Sequence, residues 1–161
     1  MASGKSTISK ILAKKLQIST IDLDDYIVEK EGLSINAIFK TKGEIYFRNQ
    51  ENKYLIELLD SNKSFVLALG GGTPCYANNI DLIKKGANVF YLKANLNTLF
   101  ERLSVEKANR PIISSLNDEK LKEFIAKHLF ERAPFYEQAA HTINIDNKPV
   151  TDIVEQIEVL L

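Results

Sequence analysis

The sequence predicts an α/β protein of three layers, with helices on both faces of a parallel sheet, and three observations predict it. Short apolar runs alternate with longer stretches of helical spacing, the pattern of repeated strand-helix units. Two of the runs, FVLAL at Phe65 to Leu69 and NVFYL at Asn88 to Leu92, are nearly continuous in apolar character, as strands covered on both faces are. The first of them stops at Gly70-Gly71-Gly72, at the carboxyl end of a strand, where open parallel sheets place their ligands.

Each element follows from local pattern. After Lys5, apolar residues recur at Ile8, Ile11, Leu12 and Leu16, the stripe of a helix packed on one side. STIDLDD then reads as a short strand in which Ile21 and Leu23 alternate with Asp22 and Asp24, so that both carboxylates share one face. The stretch GEIYFRNQENKYLIELLD carries Phe47, Tyr54, Leu55, Leu58 and Leu59 on one helical face, and Gly43 marks its start. A second long helix is predicted from about Asp118 to Gln138, broken or kinked near its end by Pro134. HTINI, His141 to Ile145, is a more polar strand, and a last helix from about Val150 to Leu160 offers Ile153, Val154, Ile157 and Leu161 to the core. No repeat, low-complexity tract or linker interrupts the series, so residues 1–161 are expected to form a single domain.

Composition narrows the functional classes. The 21 basic and 21 acidic side chains cancel, which argues against a large nucleic-acid footprint or a polybasic membrane anchor but leaves small anionic ligands open. One cysteine, Cys75, cannot form an internal disulfide and suits a reducing, cytoplasmic setting; it reads as an ordinary buried or semi-buried small residue ahead of the alternative, a nucleophile. No apolar run is long enough to span a bilayer. A monomer is the default expectation.

Four features could carry chemistry. Gly4-Lys5-Ser6-Thr7 at a helix start is the end of a phosphate-binding loop, G-x-x-x-x-G-K-[ST]. The first helical N–H groups point toward an anion, Lys5 can reach terminal phosphates, and Ser6 can offer a hydroxyl to magnesium. The other reading is an exposed lysine behind a helix cap. Asp22 and Asp24 would be costly together unless a cation or donors meet them. A magnesium ion near one and a substrate hydroxyl near the other resolves that cost; a solvated edge or a helix cap is the alternative. The glycine triplet lets backbone N–H groups approach a ligand, or makes a tight turn before Pro74. Finally, only four of the 21 basic residues are arginine, at 48, 102, 110 and 132. A chain that spends lysine on ordinary surface charge and keeps arginine at four places points to sites needing a planar donor fork or a stacking cation.

Taken together and in order, GKST, IDLD, IYFRNQE, LALGGG, NRPII and ERAPFY resemble the shikimate kinases, small P-loop kinases of chorismate and aromatic amino-acid biosynthesis. The resemblance implies a three-layer P-loop kinase fold and transfer of the ATP γ-phosphoryl group to the 3-hydroxyl of shikimate, with Mg2+ as cofactor. It implies a shikimate-binding helical region at about 25–60 and a lid at about 104–117. Lys5 matches the P-loop lysine, Gly4 and Thr7 its neighbours at the nucleotide, Ser6 the magnesium-liganding serine and Asp22 the acidic residue that holds magnesium through water. Asp24 matches the residue that binds the shikimate hydroxyls and accepts the reacting proton. Arg48 and Arg132 resemble the pair that clamps the substrate carboxylate, with Gly70, Gly71, Gly72 and Phe47 lining the same site and Glu51 orienting Arg48. Arg110 falls in the lid, where it reaches the transferring phosphates, and Arg102 resembles the residue that packs on adenine, with the turn ending at Pro149 on the opposite face. Shikimate and ATP are thus the expected partners.

By the same resemblance, a strand and the first P-loop glycine precede the position of Met1, and that strand is central in the order 2-3-1-4-5. Without it, the strands of Phe65 to Leu69 and Asn88 to Leu92 are expected to have unpaired inner edges. Met1 is then expected to be an internal methionine, with in-frame coding sequence upstream supplying the strand. The 161-residue chain alone is expected to fold poorly and to phosphorylate little shikimate. Two other readings stand beside this one: another small-metabolite P-loop kinase, such as a gluconate kinase, and a nucleotide- or metabolite-binding protein of this fold that does not catalyse.

Overall fold

The computed structural model describes residues 2–107 and 113–161. Its contacts gather into two compact units, one formed by residues 5–89 and the other by residues 1–4 with 90–161. In the first, helix α1 (Lys5–Leu16) leads into strand β1 (Ser19–Asp22), helix α2 (Leu23–Glu31), helix α3 (Ile35–Leu59), strand β2 (Phe65–Ala68), a short 3-10 turn (Thr73–Cys75) and helix α4 (Asn79–Gly86). In the second, strand β3 (Phe90–Lys93), helices α5 (Leu96–Glu106) and α6 (Asp118–Tyr136), strand β4 (His141–Asn144) and helix α7 (Val150–Val159) follow in order.

The strands pair in parallel within each unit. β1 runs beside β2 with Ser19 opposite Phe65 and Asp22 opposite Ala68. β3 runs beside β4 with Phe90 opposite His141 and Lys93 opposite Asn144. Parallel neighbours need a crossover of a dozen or more residues, and the helices supply it. Among the described residues β2 pairs only with β1 and β3 only with β4, so each has a ladder on one edge. The full coverage expected of β2 is not found. Phe65, Val66 and Leu67 are half-buried and only Ala68 is buried, because a strand with one laddered edge keeps its other flank accessible.

Helix boundaries follow capping chemistry. Ser34, Asn95 and Asn117 each accept the backbone N–H of the residue three positions on, satisfying a donor that has no partner inside the helix. α2 closes on Gly32 at φ 66° and ψ 15°, the left-handed geometry glycine adopts without penalty. Gly43 (φ 84°, ψ 171°) interrupts α3, so the helix beginning at residue 44 is the one predicted from sequence. Its inward face is as expected, with Phe47, Tyr54, Leu55 and Leu58 buried. These pack with Leu23, Ile27, Ile38 and Ile83 into the core of the first unit. Full burial of such a side chain contributes roughly 1.5–3 kcal/mol.

In the second unit α5 packs on α6 and α7 on β4, burying Leu103, Leu121, Ile125, Ile145, Ile153, Val154 and Ile157. Pro134 lies inside α6, which runs on for two more residues before its cap at Glu137. So near the end of the helix the proline does not terminate it. Leu161 is exposed rather than part of the core.

Candidate active site

The strand reading of STIDLDD is corrected by the structure. β1 stops at Asp22, and Leu23, fully buried, opens α2. Asp22 is the N-cap of that helix, its Oδ1 accepting the Asp24 N–H at 3.1 Å. The two aspartates therefore come together through a strand-to-helix turn, and not through the two-residue repeat of a strand. Capping won over alternation because an Asp that satisfies an orphan helix donor also complements the positive end of the helix. The cap occupies only one carboxylate oxygen. Asp22 Oδ2 accepts the Ser6 hydroxyl at 3.1 Å, which ties the first turn of α1 to the end of β1.

That Ser6–Asp22 pair is a hydroxyl and a carboxylate, both hard oxygen donors, at the N-terminus of a 12-residue helix. Among the described residues no three His, Cys, Asp or Glu side chains gather as a metal cage. Mg2+ suits such a place, since it is commonly held by one or two protein oxygens with water and substrate phosphates completing its octahedron. Gly4 precedes α1 at φ 81°, a value open to glycine and rare for other residues.

Asp24 lies one turn into the site. Its carboxyl is pushed up to about 6, first by burial, then by the charges of Asp22 and Glu51, against opposing pulls from Lys5 and Arg48. It borders the glycine turn: a Cβ placed on Gly70 would lie 3.3 Å from Asp24 Oδ1. Gly72 is more confined still. Its backbone (φ −87°, ψ −20°) is open to any residue, but a Cβ there would stand 2.6 Å from Arg48 Nη2. Gly70 and Gly72 thus serve by lacking side chains where Asp24 and Arg48 come close.

Arg48 is held from several sides. Glu51, one turn on along α3, accepts Nη1 at 2.7 Å, and Glu44, one turn back, stands 3.6 Å from Nε. The Phe47 ring lies 5.2 Å from the guanidinium carbon. Glu51 is 1 % exposed, so its charge depends on such partners. Its second oxygen accepts the Thr73 hydroxyl at 2.6 Å, a contact that sequence reasoning did not anticipate. The only signal for it is a hydroxyl residue directly after the glycine triplet.

The first unit therefore brings together Ser6, Asp22, Asp24, Phe47, Arg48, Glu51, Gly70 and Gly72. Arg102, Arg132 and Pro149 belong to the second. Arg102 Nη1 donates to the Ala2 carbonyl at 3.2 Å. Arg132, on α6, lines a cavity of about 20 Å3 with Leu99, His128, Leu129 and Tyr136. Pro149 is the N-cap of α7. Arg110 lies outside the described residues. Cys75 is half-buried, its thiol 3.8 Å from the Gly71 carbonyl, consistent with an ordinary small residue.

A lysine and a hydroxyl at a glycine-preceded helix N-terminus, two aspartates near that hydroxyl and an arginine fork beside a glycine turn are the kinds of groups a P-loop small-molecule kinase uses. A sequence model of shikimate kinase matches residues 1–161. A shikimate kinase of Flavobacterium johnsoniae is 46% identical over 158 residues, covering 98% of this chain and 92% of its own. The crystal structure of shikimate kinase from Bacteroides thetaiotaomicron superposes with a TM-score of 0.90 at 32% identity, covering 99% of this chain and 93% of its own. That of the Acinetobacter baumannii enzyme in complex with shikimate gives 0.87 at 33%, covering 99% and 87%. The chain belongs to the shikimate kinase family, with the three-layer α/β, parallel-sheet fold of those structures.

Proposed function

We propose that this protein transfers the γ-phosphoryl group of ATP to the 3-hydroxyl of shikimate, giving shikimate 3-phosphate and ADP. The observation that carries the proposal is the grouping of Asp24, Arg48 and the glycine turn. A carboxylate able to accept a proton and a guanidinium able to take a carboxylate border one backbone surface without side chains. Family membership and the shikimate complex of the A. baumannii relative support the choice of acceptor.

The roles divide by chemistry. Lys5 and the N–H groups of the first turn of α1 bind the terminal phosphates, with Gly4 and Thr7 beside them. Ser6 and Asp22 would hold Mg2+, which when bound neutralises charge on the phosphate oxygens. Asp24 positions the acceptor alcohol and takes its proton. Arg48, fixed by Glu51, binds the acceptor's carboxylate in a bidentate fork, and the resemblance assigns Arg132 to the same carboxylate. Phe47 gives an apolar wall. Arg102 and Pro149 are assigned to adenine, Arg110 to the transferring phosphates, and residues 104–117 to a lid that excludes water from the γ-phosphate.

A phosphorylation assay across shikimate, gluconate and other hydroxy acids, with ATP and Mg2+, tests the reading. Shikimate-dependent ADP release with one phosphate on the acceptor would support the reading, and would overturn the expectation that the 161-residue chain alone phosphorylates little shikimate. Preference for gluconate would make the protein another metabolite kinase, and ATP binding without transfer would favour a binding protein. Among the described residues no helix is long and apolar enough to cross a membrane.

A further inference from the structure

Arg48 is one end of a largely buried hydrogen-bonded relay that leaves α3 at Asn52, passes through α4 and the 3-10 turn, and returns to α3 at Glu51. Asn52 Nδ2 donates to Asn79 Oδ1 at 2.6 Å. Asn79 Nδ2 donates to the Thr73 carbonyl at 2.8 Å. The Thr73 hydroxyl donates to Glu51 Oε1 at 2.6 Å, and Glu51 Oε2 accepts Arg48 Nη1 at 2.7 Å. Thr73 and Asn79 are both 0 % exposed. Thr73 also donates its own N–H to the Gly70 carbonyl at 3.2 Å. One residue therefore fixes the glycine turn through its backbone and the arginine's counter-charge through its side chain.

We propose that Thr73 and Asn79 are positioning residues for the acceptor site, acting through Glu51 to set where the Arg48 guanidinium stands against Gly72. A buried carboxylate with two oxygens and one cation can turn either oxygen toward the cation. Occupying Oε1 with the Thr73 hydroxyl reserves Oε2 for Arg48 and removes that freedom. The guanidinium in turn stands within 3.0 Å of a Cβ position on Gly72, so a rotation of Glu51 is transmitted directly to the acceptor surface. Asn79 keeps the relay in place by gripping the Thr73 carbonyl from α4 while Asn52, on α3 beside Glu51, grips Asn79. The closed chain of partners leaves none of these buried groups unsatisfied, the condition under which such a network specifies one arrangement.

The inference rests on the proposed acceptor, so its test includes a measurement made without substrate. Thr73→Val removes the hydroxyl at nearly constant volume and Thr73→Ser restores it. In a crystal structure of ligand-free Thr73→Val, Glu51 is expected to rotate and Arg48 to leave its contact with Oε2. An Arg48 unmoved against Gly72 would overturn the proposal whatever the protein phosphorylates. In steady-state kinetics the KM for shikimate is expected to rise about tenfold with Thr73→Val, with the KM for ATP unchanged and Thr73→Ser near the unmodified value. Equal rises in both KM values, or failure of serine to rescue, would mark Thr73 as merely structural. Asn79→Leu should reproduce the shikimate effect more weakly; no effect would remove Asn79 from the relay. Absence of shikimate phosphorylation by the unmodified protein would refute the functional reading and leave the crystallographic test standing.

Discussion

At the scale of single residues, Asp24 shows function set against stability. Its carboxyl is raised from 3.8 to about 6, chiefly by burial, so the folded protein binds this proton more tightly than the unfolded chain does. Relative to a neutral side chain, Asp24 therefore costs nothing below pH 3.8, its penalty grows as pH rises from 3.8 to about 6, and the penalty is complete above that. Asp24→Asn should stabilise the fold at pH 8 by roughly 2–3 kcal/mol, with the gain shrinking toward pH 4, as urea titrations at a series of pH values would show. If Asp24 takes the alcohol proton as proposed, the same change should cut turnover by about a hundredfold or more. In the unmodified protein kcat/KM for shikimate should fall below pH 6, where Asp24 is protonated. At Gly72 function and stability run together. A methyl group there meets the Arg48 guanidinium, and moving that cation aside strips the buried Glu51 of its charge partner. Gly72→Ala should then cost roughly 1–3 kcal/mol in urea unfolding and raise the KM for shikimate by about tenfold or more; a stability loss without a kinetic one would contradict this account.

At the scale of elements, the break in α3 is a conformational requirement and not a packing one. Nothing lies within 4 Å of a Cβ built on Gly43, yet φ 84° with ψ 171° is a region only glycine occupies readily. Gly43→Ala should therefore cost roughly 1–3 kcal/mol in urea unfolding, and a neutral result would show that the segment relaxes into continuous helix. Gly43 was legible in the sequence as a boundary because glycine punctuates helical pattern. So were α3, α6, α7 and all four strands' locations, since each has a periodic apolar face or a short apolar run. The end of β1 was not, because Asp22 and Leu23 fit strand alternation as well as a helix cap with a buried first residue. Alternation carries no information about which backbone donor an aspartate satisfies. Arg48, Glu51, Asp24 and the triplet were legible as candidates through chemistry and resemblance. Thr73, Asn79 and Asn52 were not, because small polar residues draw their meaning from partners that lie 22, 6 and 27 positions away.

At the scale of the whole molecule, a chain with no net charge does not draw in an anion by an overall excess of positive charge, so the proposed acceptor recognition rests on placed charges. Arg48 is such a charge. Its side chain is 17 % exposed and its guanidinium is already oriented by Glu51, so binding the proposed carboxylate would need little further ordering. A ligand that binds only the folded state raises its stability by about 2.7 kcal/mol at a hundred times its Kd. For a protein of this length that corresponds to roughly 5–10 °C in the unfolding midpoint. Shikimate at such a concentration should produce that shift in differential scanning fluorimetry, and gluconate at the same concentration much less. Arg48→Lys replaces the fork with a point charge, so it should weaken the shikimate shift while leaving the ATP shift in place. An equal loss for both ligands would mean that Arg48 serves the fold at large. An unchanged shikimate shift would mean that the carboxylate is read elsewhere in the molecule.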